Sequence, residues 1–279
     1  MALDLAAQGT VPELIDHLAQ TVAQDAVAER AKKRSGWGIF LSLLVGIAGL
    51  AALPRPANFV IGALALAGFV ACIARYSRQS RADYEDRKLE VATRLLQVLG
   101  QDIPRKETCN LLVRDGSFQP IDRQDMGGRR KEADALTWLE LKAELHDGTS
   151  LGVAIEQTER RLLKLKPGKG WRQKRCAVQE TITLKLRLDA EHYPTVPDFA
   201  ALLGTQTEGG LTVSRVRMPS AESPAIAIEA EGPIGALPAQ MYRAGNTGFH
   251  TGPDPRLSAE HVLGLMAHVW TQLGQSQTA

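Results

Sequence analysis

The 279-residue chain has little cysteine and few aromatic residues. Its cysteines, Cys72, Cys109 and Cys176, are odd in number, widely spaced and free of any CxxC pair. That excludes a disulfide framework and a thiolate metal site, so inert thiols in a reducing compartment are expected. No HExxH occurs, and His261 and His268 stand seven residues apart. On a helix that is about 10 Å along the axis, too far to share one ion. No metal and no cofactor is expected.

Charge is missing in places. Lys and Arg are absent from residues 1 to 29, which hold Asp4, Glu13, Asp16, Asp25 and Glu29. Charge of either sign is absent between Arg34 and Arg55 and again between Arg55 and Arg75, runs of twenty and nineteen residues. A hydrocarbon core of about 30 Å takes roughly 20 helical residues. The runs are apolar nearly all round, with Ser42, Asn58 and Cys72 the mildly polar exceptions. The expectation is a two-helix transmembrane hairpin over 35–75, with helices at about 37–53 and 57–74 and a turn at Pro54 to Pro56.

Basic residues flank both runs, Arg30, Lys32, Lys33 and Arg34 before and Arg75, Arg78 and Arg81 after, whereas the connecting turn holds only Arg55. The positive-inside rule then places both termini and the main domain in the cytoplasm, on an integral inner-membrane protein. Gly38, Ser42 and Gly46 in the first run, and Ala63, Ala67 and Ala71 in the second, recur every fourth position. That spacing lets helices pack closely in lipid, although Gly and Ala are common in such helices anyway.

Residues 1–34 read as an acidic amphipathic helix from about Pro12 with a basic flank, opened by a Thr10–Glu13 capping box. Residues 76–100 read as a helical stalk with Tyr84, Val91, Leu95 and Val98 on one stripe, widened by Leu89, Leu96 and Leu99.

From residue 101 the period turns to 2, which predicts a mostly antiparallel α+β cytosolic domain over 101–279. Asp115-Gly116 and Asp147-Gly148 have hairpin-turn chemistry. Strands are expected over "WLELKAEL", "LGVAI", "ETITLKLRLD", "LTVSRVRM" and "AIAIEAEG", and a short helix at "PDFAALLG". A closing helix starts at Ser258 and stops at Gly274, with Val262, Leu265, Met266, Val269 and Leu273 inward.

No motif establishes a catalytic site. "GTSLG" matches the G-x-S-x-G elbow at Ser150, with Asp189 or Asp198 and His250 or His261 as partners, yet the elbow needs strand, turn, helix. The turn here has hairpin chemistry and a strand follows to Ile155; only a helical "AIEQTERRLLKLK" would keep a serine hydrolase open. "KPGKG" lacks the hydroxyl that a phosphate loop places after its lysine. "GNTGFHTGPDP", around His250, has turn composition.

The basic segment 160 to 175 is more informative: Arg160, Arg161, Lys164, Lys166, Lys169, Arg172, Lys174 and Arg175, with Trp171 among them and no acid. The plainest reading is a solvated loop. Its candidate partners are an anionic lipid surface, an acidic protein or the acidic N-terminal arm, and a nucleotide or nucleic acid, with no specific nucleic-acid signal. Trp171 serves such a contact or simply packs.

Two N-terminal membrane helices before a cytosolic β-rich domain resemble, in architecture alone, the membrane-anchored effector receptors of bacterial anti-phage defence. That resemblance implies sensing of a cyclic oligonucleotide and membrane damage, and carries over no residue. The sequence therefore predicts a non-enzymatic, membrane-anchored binding or scaffolding protein that engages a partner or an anionic ligand. The alternative is an oligomerising two-helix effector gated by a ligand on the β-rich domain.

Overall fold

The computed structural model describes residues 3–52, 57–80, 85–116, 118–168, 170–193, 198–207, 210–219, 225–237 and 256–277. The elements run β1 (Leu3–Gly9), α1 (Val11–Ala52), α2 (Ala57–Ser80), α3 (Asp86–Leu99), β2 (Cys109–Asp115), β3 (Gln119–Met126) and β4 (Arg129–Glu144). They continue with β5 (Ser150–Lys166), β6 (Gly170–Arg187), a 3₁₀ turn (Phe199–Leu202), β7 (Thr212–Arg217), β8 (Ile226–Glu231), β9 (Gly235–Leu237) and α4 (Ala259–Gln277). The chain divides into two compact units, one of residues 1–3 and 16–86, the other of 4–15 and 87–279.

The expected transmembrane hairpin is corrected here: among the described residues no helix is long and apolar enough to cross a membrane. The expected turn at Pro54 to Pro56 lies outside the described residues. With the spans go the integral inner-membrane assignment and the membrane-helix half of the effector resemblance.

In the first unit α1 and α2 pack closely. A Cβ added at Gly38 would meet the Cys72 Sγ at 2.8 Å, one at Gly68 the Ser42 Oγ at 3.3 Å, and one at Gly46 the Ala65 Cβ at 3.3 Å. Ala63, Ala67 and Ala71 are exposed, so Ala65, Gly68 and Cys72 supply the second helix's side of this contact. Trp37, Phe40, Leu41, Leu44, Val45 and Leu64 are also exposed.

In the second unit the N-terminus differs from a plain acidic helix: residues 3 to 9 form β1, and α1 runs past residue 34 without a break. Its capping box forms, with the Thr10 backbone N–H donating to Glu13 Oε2 at 2.8 Å and the Thr10 hydroxyl donating to the same oxygen at 2.9 Å. The predicted stalk is not continuous either. α2 ends at Ser80, and α3 is a separate core helix that buries Leu89, Val91, Ala92, Leu95, Leu96 and Leu99. Tyr84 lies outside the described residues.

Among the described residues the sheet has nine strands in the order β1-β2-β4-β5-β6-β8-β7, with β3 beside β4 and β9 beside β6. One face is dry. Val113, Leu139, Ile155, Ile182, Ala230 and Val213 align across neighbouring strands in one row, and all are buried. Their alternation with polar residues is what an antiparallel sheet with one wet face requires. The α4 residues Val262, Leu265, Met266, Val269 and Leu273 are buried as expected, while α4 continues through Gly274 to Gln277.

Asp115-Gly116 does not turn a hairpin. β2 and β3 pair end to end along the same long strand, β2 with residues 139 to 142 of β4 and β3 with residues 129 to 135. The basic segment is not a loop but, over its described residues, parts of two long paired strands, β5 and β6. β3 is exposed along its whole length, so β3 and the adjoining ends of β4, β5 and β6 form an arm wetted on both faces.

Candidate binding site: a cation-lined sheet face

Strand register divides the arm's charges. On the face that continues the dry core lie Asp134, Glu132 and Arg130 of β4, Arg161 of β5 and Trp171 of β6, with Asp125 of β3. The charges among them are paired. Arg161 pairs with Asp134 and sits 4.0 Å from Glu132, and Arg130 pairs with Asp125 at 2.5 Å and Glu132 at 3.7 Å. The Asp125 carboxyl is held below the ordinary carboxylate range, first by its hydrogen bond from Arg130. The Arg130 guanidinium lies 4.2 Å from the centroid of the Trp171 ring, which fixes the indole by cation–π contact.

The wet face is different. Arg129 of β4 pairs with Lys164 of β5, and Lys164 with Arg172 of β6, so three cations stand side by side in one transverse row. The next row is Lys131, Leu162 and Arg175, and the one after that Ala133, Arg160 and Ala177. Lys166 closes β5 opposite Gly170 on the same face. Among the described residues none of Arg129, Lys131, Arg160, Lys164, Lys166, Arg172 and Arg175 makes an ion pair. All seven are exposed or nearly so. Directly opposed like charges in a sheet repel, so nothing in folding favours such a row.

Of the residues singled out by sequence, Arg160, Lys164, Lys166, Arg172 and Arg175 thus gather on one face. Arg161 and Trp171 turn to the other, Lys174 is the extra residue of a bulge between Gln173 and Arg175, and Lys169 lies outside the described residues. Arg129 and Lys131 were missed. Their signal was visible as "GGRRK", but they precede the segment by thirty residues, and only the β4–β5 register joins them to it.

Ser150 opens β5 after the Asp147-Gly148 turn, which Gly148 makes at φ +76°. Strand follows turn, so the elbow geometry is absent. Ser150 borders an open trough of about 370 Å³ on the wet face with Glu144, Lys142, Lys185 and Arg187, and no histidine hydrogen-bonds to it among the described residues. Asp198 caps the 3₁₀ turn through Ala200 N–H, and His261 Nδ1 accepts from the Ser258 backbone N–H at 3.1 Å. Asp189 instead binds His192. His250 lies outside the described residues. Among the described residues no three His, Cys, Asp or Glu side chains converge as a metal set.

Comparison of the chain with protein-family models, with curated proteins and with solved structures finds no match to any of them.

Proposed function

We propose that this is a non-enzymatic binding protein that engages an extended anionic partner through the wet face of β4, β5 and β6. The transverse row Arg129, Lys164 and Arg172 supports the reading most directly. Three cations about 4.8 Å apart and without acids repel, and an anion laid across them relieves that repulsion. The opposite face shows the contrast, since Arg130 and Arg161 there are each paired with carboxylates. An extended partner fits better than a small one, because the cations spread over three rows on a flat surface rather than converging in a pocket.

The test is retention of the full-length protein on a sulfated polysaccharide resin across a salt gradient. Arg129→Glu, Lys164→Glu and Arg172→Glu together should remove most of the retention and flatten its salt dependence. Arg215→Glu with Arg217→Glu, on the edge strand β7 where Glu229 is already a neighbour, should leave it nearly unchanged. Equal losses from both sets would reduce the effect to net charge and reject the site.

A second reading rests on the first unit alone. Its Trp37, Phe40, Leu41, Leu44, Val45 and Leu64 are large apolar side chains left exposed, and a cluster of exposed apolar side chains marks an interaction surface. Such a surface suits self-association with a second copy. A monomer by light scattering at micromolar concentration would remove this reading.

A further inference from the structure

The distal end of the arm combines the cations with exposed apolar side chains, and this extends the reading just proposed. The β3–β4 turn at Gly127 and Gly128 meets the end of β5 there, joined by a hydrogen bond from Leu165 N–H to the Gly128 carbonyl at 2.9 Å. Around this joint Met126, Leu165 and Trp171 are 42%, 46% and 36% exposed, and Leu165 and Trp171 are directly opposed partners. Lys164, Lys166 and Arg172 adjoin Leu165 and Trp171 in sequence, and Arg129 stands opposite Met126.

We infer that the arm tip docks on an anionic phospholipid surface, with Leu165, Trp171 and Met126 entering the headgroup layer and the wet-face cations resting on the phosphates. The contact is peripheral and needs no spanning helix. It rests on the anionic-partner reading above. Two independent features favour lipid over nucleic acid. Cations without apolar neighbours would suit either, but a rim of Leu, Met and Trp at one end is a wedge for an interface, where tryptophan is favoured. Nucleic-acid binding sheets without sequence preference place rings between their cations for bases to stack on, and here the neighbours of the cations on that face are Leu162, Ala133, Ala177 and, on β3, Met126, Gln124 and Asp122, none of them a ring. The one tryptophan is on the other face and already stacked on Arg130. That stack, with Arg130 itself tied to Asp125 and Glu132, holds the indole at the tip before any ligand arrives.

The experiment places an environment-sensitive nitrobenzoxadiazole label on Leu165→Cys of the full-length chain in a Cys72→Ser background. Cys109 and Cys176 are buried and escape labelling. On phosphatidylcholine–phosphatidylserine vesicles of roughly 3:1 composition the label should shift to the blue and brighten severalfold. On phosphatidylcholine alone it should stay unchanged, and about 0.5 M salt should reverse the response. Lys164→Glu with Arg172→Glu should weaken the response by at least about tenfold, at roughly fivefold per charge near such a surface. A silent label on anionic vesicles, or one that responds equally to neutral vesicles, overturns the inference. If the label is silent while a DNA oligonucleotide binds the cationic face, lipid docking is wrong and the anionic-partner reading stands. If neither vesicle nor oligonucleotide nor sulfated resin is bound, both fall.

Discussion

Arg87 and Glu180 form a two-pronged ion pair in the core of the second unit, with Nη2 to Oε1 at 2.7 Å and Nη1 to Oε2 at 2.9 Å. The Glu180 side chain has no solvent exposure. Its Oε2 also accepts from the Leu257 backbone N–H at 2.5 Å, and Arg87 donates to the Leu257 carbonyl at 2.7 Å. The guanidinium lies over Trp138, 5.1 Å from the ring centroid. The pair thus joins the start of α3, strand β6 and the approach to α4.

Breaking such a pair from one side leaves a buried charge without its partner. Arg87→Met alone should cost about 3–5 kcal/mol in urea unfolding of the full chain. Arg87→Met with Glu180→Leu should cost clearly less than the two single losses added, because no charge is stranded. Strict additivity would show that the two side chains do not act as a unit.

A second pair lies at the surface and sets a pH window. Asp189 Oδ2 and His192 Nδ1 are 2.8 Å apart. The hydrogen bond between them raises the imidazole above its ordinary range and lowers the carboxyl below its own. A raised His contributes stability below its unfolded pKa of about 6.5, lost as pH climbs through the folded value. A lowered Asp contributes above about 3.9, lost as pH falls through its folded value. The pair therefore contributes most between those limits. Asp189→Asn should return the His192 titration, followed by its ring proton resonances, toward the ordinary range. An unmoved titration would assign the shift to another neighbour.

Helix packing in the first unit gives a contrast between two nearby glycines. Nothing lies within 4 Å of a Cβ added at Gly36, whereas one at Gly38 meets the Cys72 sulfur at 2.8 Å. Gly36→Ala should stabilise the unit by roughly 0.5–1 kcal/mol through helix propensity. Gly38→Ala should lose that gain and more to overlap, by about 1–3 kcal/mol. Thermal unfolding by circular dichroism separates the two, and stabilisation by both would mean that α2 stands further from α1 than described.

How much of this was legible follows from which residues face one solvent on one side only. The core rows were readable because Leu139, Leu141, Ile182 and Leu184 alternate with polar residues, and Val153 and Ile155 with small ones. The same rule misled beyond Ile155. The ends of β5 and β6 are wet on both faces, so "ERRLLKLK" and "WRQKR" lose the alternation and look like loop. The partnership of β2 and β3 with one strand was hidden as well, since a hairpin dipeptide at Asp115-Gly116 says nothing about which strands pair. The two charge-free runs gave a length and a composition, and a spanning helix was the wrong conclusion from them. The cationic face was half visible: Lys164 and Arg172 lie in one run, but Arg129 reaches them only through register.

That register carries a last prediction, which is independent of any ligand. Lys164 stands between Arg129 and Arg172, two repulsive neighbours in one row. Lys164→Glu turns both contacts attractive, so the arm should gain stability, by roughly 0.4–2 kcal/mol over the two pairs at low salt. Near 1 M salt, where screening acts within about 3 Å, most of the gain should vanish. The same substitution should weaken retention on a sulfated resin. A residue whose replacement improves the fold and harms binding is held for binding, and stability is lower at such positions for that reason. If Lys164→Glu leaves stability unchanged at low salt, the three cations do not stand in one row, and the site built on them is lost with it.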